Sequence, residues 1–180
     1  SGAAFRLTRI WHGDAADRTP APLLEPGTGI REGHYLLAIN RRPVDPSLPF
    51  EAHLAGLAGR RVLLTVNDRP SPSGARDVAV DVLFDDSALR YHDWVRRNRE
   101  EVSRLSGGRL GYLHIPDMGM AGLIAFETWS HPQAHKDGLI VDVRHNRGGF
   151  ISQLLLEKLR RPVHGWIVTR RGGQDRYPSA

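Results

Sequence analysis

Apolar positions in the first half of the chain alternate with polar ones. Phe5-Arg-Leu-Thr-Arg-Ile-Trp11 reads as a half-buried strand, and residues 35–40 and 61–67 read as two more. Residues 77–84 form a fourth, with Val78, Val80 and Val82 on one face. Prolines and glycines make residues 12–29 a long loop, and Arg41-Arg42-Pro43 turns the chain. Arg69-Pro-Ser-Pro-Ser-Gly74 is a hairpin-like loop. Ser47 is expected to cap a helix over 48–58, with Pro49 in its first turn. Phe50, Leu54 and Leu57 would share its apolar face, and Gly59 would stop it.

The second half changes period. Residues 87–105 predict a long helix with Tyr91, Trp94, Val95, Val102 and Leu105 along one side, ended by Gly107-Gly108. A strand over 110–115, a helix over 122–130 and a strand over 139–143 follow. That last strand is rich in β-branched residues, which predicts cover on both faces. Ile151, Leu154, Leu155 and Leu159 mark a helix over 151–159, and 163–168 is a further strand. Strands alternating with helices imply right-handed crossovers and a small, mainly parallel three-stranded sheet with open edges. The expectation is an α/β chain in two parts, 1–86 and 87–180, belonging to a longer protein.

With 180 residues, 40% of them apolar, the chain can bury a core. It has no cysteine, so disulfides and thiolate metal sites are excluded. No apolar run is long enough to span a membrane, and Ser1-Gly-Ala-Ala-Phe5 is not a secretory leader. The net charge of +5 comes from basic residues scattered among acids, as in Arg96-Arg97-Asn98-Arg99-Glu100-Glu101. No aromatic platform interleaves with them, so nucleic acid is not an expected partner.

Chemistry concentrates in Gly138-Leu-Ile-Val-Asp-Val-Arg-His-Asn-Arg-Gly-Gly-Phe150, a strand, a polar turn and two glycines before a helix. Gly148 and Gly149 let the backbone turn sharply, and N–H groups at a helix start suit a developing oxyanion. Asp142 and Arg144 read as supports that hold the glycine loop, and Asn146 as bonded to its own turn. His131 and His135 lie four apart, but Pro132 between them and the lack of further ligands argue against a metal. His114, His12, His34, His53 and His92 read as structural or solvated. Ser152 has no base at a recognisable spacing, so it reads as a first-turn helix residue. Met118-Gly-Met120 either borders a substrate cleft or simply packs.

Three ordered stretches, Gly108-Arg-Leu-Gly-Tyr-Leu-His-Ile-Pro-Asp-Met-Gly-Met120, residues 137–150 and residues 152–159, resemble the tricorn protease family, related to the C-terminal processing peptidases. The resemblance reaches back through residues 90–98. Gly29-Ile-Arg-Glu-Gly-His-Tyr-Leu-Leu-Ala-Ile-Asn40 is similar to the PDZ domain such enzymes carry. The implied fold is a mostly β PDZ-like domain, its first strand missing, followed by a partial crotonase-like βαβ sheet. The implied activity is that of a serine endopeptidase degrading peptides, cytoplasmic, hexameric and needing no cofactor.

The resemblance puts one oxyanion donor on the Gly149 N–H, with the serine nucleophile, histidine base and glutamate outside this chain. The piece alone is therefore expected to be inactive. Gly148 and Ile167 are expected to meet substrate. An acidic residue stands at the Ile167 position in relatives that prefer basic side chains, so a weaker preference for them is expected here. Gly2, Ala3, Ala4, Phe5 and Leu7 are expected to line a PDZ groove where an extended peptide adds to the 5–11 edge beside the 48–58 helix. Two alternatives stand beside this reading: a non-catalytic PDZ peptide-binding module, and a C-terminal processing peptidase. The latter is disfavoured by the matches at Met118-Gly-Met120 and residues 90–94.

Overall fold

The computed structural model describes residues 4–14 and 19–177. The chain divides into two compact units, residues 1–93 and 94–180.

The first unit is a five-stranded antiparallel sheet. β1 (Phe5–Arg6), β2 (Tyr35–Ile39), β4 (Arg61–Asn67) and β5 (Arg76–Asp81) lie in that order, and β3 (Arg42–Pro43) pairs with β2. Alternation puts Val62, Leu64 and Val66 of β4 with Val78 and Val80 of β5 on one face. They bury a core with Ile10, Ile30, Leu36, Ile39 and Val44. At an average-sized aliphatic side chain, each such burial is worth about 2 kcal/mol. Asn40 and Arg41 both take positive φ (49° and 64°), the geometry of a primed hairpin turn between β2 and β3.

Two expected elements are shorter than the pattern implies. The first strand is regular only over Phe5–Arg6. The Leu7 N–H still donates to the His34 carbonyl at 2.8 Å, but its own carbonyl accepts from Gly33 at 2.7 Å. His34 turns its N–H back to the Arg31 carbonyl, so the ladder breaks. The expected 48–58 helix is a short 3-10 helix, Phe50–Leu54. Pro49 stays extended at its start (ψ 141°), and Ser47 spends its hydroxyl on Asp45 Oδ1 at 2.7 Å instead of capping. Gly56, at φ 72°, turns the chain away before Gly59.

The helix α1 (Ser87–Leu105) has the predicted bounds, although Leu105 is exposed. In the second unit, β6 (Leu110–His114) and β7 (Gly138–Asp142) form a parallel pair joined through α2 (Met120–Ser130), and α3 (Ser152–Arg160) follows β7. Leu113, Ile115, Phe126 and Leu155 make the second core, with Ile151, Leu139 and Val141 against it.

Three expectations fail here. β8 (Gly165–Val168) does not join the parallel sheet; it folds back on β9 (Gln174–Tyr177) as an antiparallel hairpin. Gly172 at φ 82° and a 3.0 Å bond from the Gly173 N–H to Thr169 Oγ1 make that turn locally, so local geometry wins over the βαβ pattern. β7 is not covered on both faces: Ile140 is 42% exposed. Of the α3 stripe, only Leu155 is buried; Leu154 and Leu159 are exposed. The outer edge of β6, by contrast, is closed by a side chain. Gln133 accepts the Tyr112 N–H at 2.8 Å and donates to its carbonyl at 3.1 Å, imitating a neighbouring strand.

Among the described residues, no helix is long and apolar enough to cross a membrane.

Candidate active site

The loops after β6 and β7 leave the same, carboxyl-terminal, end of the parallel pair, where ligand-contacting loops gather in such sheets. They are laced together by backbone bonds. Ile115 donates to the Asp142 carbonyl at 2.9 Å and Arg147 to the Pro116 carbonyl at 3.1 Å. Met118 donates to the Gly148 carbonyl at 2.8 Å, and its own carbonyl accepts from Phe150 at 2.7 Å and Ile151 at 3.0 Å.

The glycines earn their places for different reasons. Gly148 has φ 80° and open space around it, so only backbone conformation requires glycine there. Gly149 has φ 138°, and a β-carbon there would collide with the Met118 carbonyl. That close approach fixes the loop against Met118. The neighbouring amides are occupied: Gly148 donates to Asn146 Oδ1 at 2.7 Å, and Phe150 and Ile151 to Met118. Among the described residues, the Gly149 N–H donates to no acceptor, and the residue is exposed. A trans peptide holds its C=O and N–H on opposite sides. With the Gly148 carbonyl held by Met118, the Gly149 N–H faces away from the 115–119 loop.

Below the loop lies a polar cluster. Asp142 is 8% exposed and accepts the Tyr112 hydroxyl at 2.7 Å, the Arg144 N–H at 2.9 Å and the Arg144 Nε at 2.9 Å. The Arg144 guanidinium, with the backbone and tyrosine bonds behind it, holds the Asp142 carboxyl well below the usual carboxylate range, although burial opposes this. Burial first, then the bond to ionised Asp142, pushes the Tyr112 hydroxyl up to about 12. The expectation that Asp142 and Arg144 hold the glycine loop directly is corrected: their side chains bond to each other, and the Asp142 carboxylate to Tyr112. His114, also buried, donates from Nε2 to the Arg144 carbonyl at 2.7 Å, since a carbonyl only accepts. The Trp94 ring meets His114 edge-on at 4.8 Å, and the Arg144 guanidinium lies 5.2 Å from the same ring.

On the other loop, Asp117 Oδ1 accepts the N–H groups of Gly119 at 2.8 Å and Gly122 at 2.9 Å, capping α2. Ile151 stands at the N-cap of α3 with no side-chain cap bond, so Ser152, exposed, opens that helix without capping it. Among the described residues, no three His, Asp or Glu side chains are grouped to hold a metal.

Ile167 lies on β8, opposite Asp175 in register and 52% exposed. The hairpin is a separate sheet, so strand pairing does not bring Ile167 to Gly148 and Gly149. Gly2 and Ala3 lie outside the described residues. Ala4 and Phe5 are half-buried, and Phe5 packs edge-on against Phe50 (5.5 Å) and His53 (5.6 Å). Leu7 is bonded inward to the β2 side. Bonding alternates along an antiparallel edge, so the outward backbone groups of β1 belong to Arg6. The backbone of Met118, Tyr112 and the Asp117 cap were not singled out from sequence. Only the Asp117-x-Gly119 spacing carried a usable local signal.

Residues 1–85 match the model of the tricorn protease PDZ domain, and residues 109–180 match that of peptidase family S41. The putative tricorn protease homolog 2 of Streptomyces coelicolor is 47% identical over 175 residues, covering 96% of this chain. The tricorn protease of Thermoplasma volcanium is 37% identical over 179 residues, covering 99%. The chain belongs to the tricorn protease family.

A crystal structure of the tricorn protease superposes on 99% of this tricorn-family chain with a TM-score of 0.84 and 34% identity. The chain spans 15% and 17% of the length of the two relatives and 17% of the solved chain, so it aligns with one segment of each. The PDZ-like sheet and the start of the peptidase fold are thus both present.

Proposed function

We propose that this segment supplies one half of an oxyanion hole, the Gly149 N–H, to a serine endopeptidase acting on peptides. The observation that carries the reading is that amide: unpaired among the described residues, flanked by three occupied ones, and turned away from the loop that anchors it. In the reaction, a serine oxygen bonds to the scissile carbonyl carbon while its proton passes to a histidine base. The carbonyl π electrons move onto oxygen, and a preorganised N–H stabilises the resulting charge. The serine, histidine and a glutamate come from elsewhere in the whole protein, and a second donor is the amide beside that serine. Gly148 borders the oxyanion, and Ile167, apolar, lines the pocket for the side chain before the scissile bond.

The domain division belongs to the same reading, with residues 1–86 a PDZ-like peptide-binding domain and 87–180 the start of the catalytic subdomain. An extended peptide adds to the β1 edge, where Ala4, Phe5 and Leu7 line the groove with Gly2 and Ala3. The family resemblance supports a cytoplasmic hexamer. The test is peptide hydrolysis by the full-length protein and by residues 1–180 alone. Hydrolysis by the full-length protein and none by the segment is expected; turnover by the purified segment overturns the reading.

A further inference from the structure

We propose that Asn146 is a positioning residue for the oxyanion donor, tying the Gly148 turn to the end of β6; this rests on the reading of Gly149 given above. Its two side-chain ends do separate jobs. Oδ1 accepts the Gly148 N–H at 2.7 Å, and Nδ2 donates to the Ile115 carbonyl at 2.9 Å, at the base of the loop that carries Met118. Its own N–H closes the turn on the Val143 carbonyl at 3.2 Å.

These bonds bracket Gly148. Asn146 holds the peptide plane before its α-carbon, and Met118 holds the plane after it. The second plane contains the Gly149 N–H. Gly148 sits at φ 80°, with no side chain and no neighbour to restrict it. Without the Oδ1 bond, the plane before Gly148 loses its direct tie, and the turn is held by the backbone bonds to Met118 and Pro116. Asparagine alone suits both jobs. Aspartate keeps the acceptor but sets a carboxylate oxygen against the Ile115 carbonyl. Serine imitates the short turn bond but is too short to reach Ile115 as well.

The experiment uses the full-length peptidase with Asn146→Ser and Asn146→Asp. Hydrolysis is measured with binding of a peptide aldehyde, which becomes tetrahedral on the serine, and of the matching peptide alcohol, which does not. For Asn146→Ser we expect kcat to fall about tenfold with KM within about threefold, because a small misplacement of an oriented group is costly. Aldehyde affinity falls by the same factor and alcohol affinity holds; Asn146→Asp loses more. Wild-type kcat in both variants, a raised KM at unchanged kcat, or equal losses for aldehyde and alcohol would overturn the inference and leave the proposed function standing. A wild-type enzyme that neither cleaves peptides nor binds the aldehyde would sink both. If neither variant folds, amide exchange in the wild-type protein decides: slow at Gly148 and fast at Gly149 is expected, and equally fast exchange at both refutes the tie.

Discussion

The Met118 N–H donates to the Gly148 carbonyl at 2.8 Å, and that bond sets the direction of the Gly149 amide. The two residues belong to loops from different strands, 30 positions apart in sequence. The same Met118 backbone accepts from Phe150 and Ile151, so one residue braces three successive peptide planes around the amide.

The two glycines should respond differently to alanine. Gly149→Ala drives a β-carbon into the Met118 carbonyl, so the loop has to move. Gly148→Ala meets open space and bears only the cost of a left-handed conformation, about 1–2 kcal/mol. Urea unfolding of both variants should show the larger loss at Gly149, and equal losses would contradict the close approach.

Tyr112→Phe removes the hydroxyl bonded to Asp142 and Asn98. A loss of about 1–2 kcal/mol is expected from the vacated partners. The wild-type protein should also lose stability in alkali. A tyrosine raised from 10.0 to about 12 on folding stabilises fully below pH 10, and that contribution fades as pH rises towards 12. Unfolding measured across that range should fall more steeply for wild type than for Tyr112→Phe; matching slopes would refute the shift.

Asp142 works in the opposite direction. Its carboxyl is lowered on folding, chiefly by Arg144, so its stabilisation is complete above the ordinary carboxylate pKa near 4 and is lost as pH falls below it. Arg144→Gln should leave Asp142 with its tyrosine bond alone among side chains, raise its folded pKa towards the ordinary value and so shrink the part of the acid loss it contributes. An unchanged acid limb would show that the guanidinium does not hold the carboxylate.

Asp117→Ala frees two amides at the start of α2 and should cost about 1 kcal/mol. Asp117→Asn, which keeps an acceptor oxygen, should recover most of it. Thermal unfolding of the pair would expose the claim if both lost equally.

Peptide addition at β1 needs the outward N–H of Arg6. Arg6→Pro removes that donor while the bond from the Leu7 N–H to the His34 carbonyl stays, and edge positions tolerate proline. Calorimetry with C-terminal peptides should show binding to wild type and none to the variant. Retained binding in Arg6→Pro would move the groove elsewhere.

Much of the fold was legible along the chain because it depends on local periodicity. The bounds of α1, the alternation in β4 and β5, and the strand–glycine–helix order at 138–160 follow from residues a few positions apart. The misread elements failed where one tertiary or local bond outweighed the pattern. Asp45 occupied the Ser47 hydroxyl, Gly33 diverted the Leu7 carbonyl, and the Thr169–Gly173 turn folded β8 onto β9.

The residue types themselves determined that a paired-glycine turn would join a strand to a helix; that a side chain at Gly149 would collide with the Met118 carbonyl was decided by the tertiary structure. Which amide the turn leaves unpaired was decided only in three dimensions. That choice rests on the backbone of Met118 and on an asparagine reaching Ile115, contacts between loops distant in sequence. Backbone carbonyls are the same in every residue, and N–H groups in every residue but proline, so the side-chain pattern does not show which of them pair across loops.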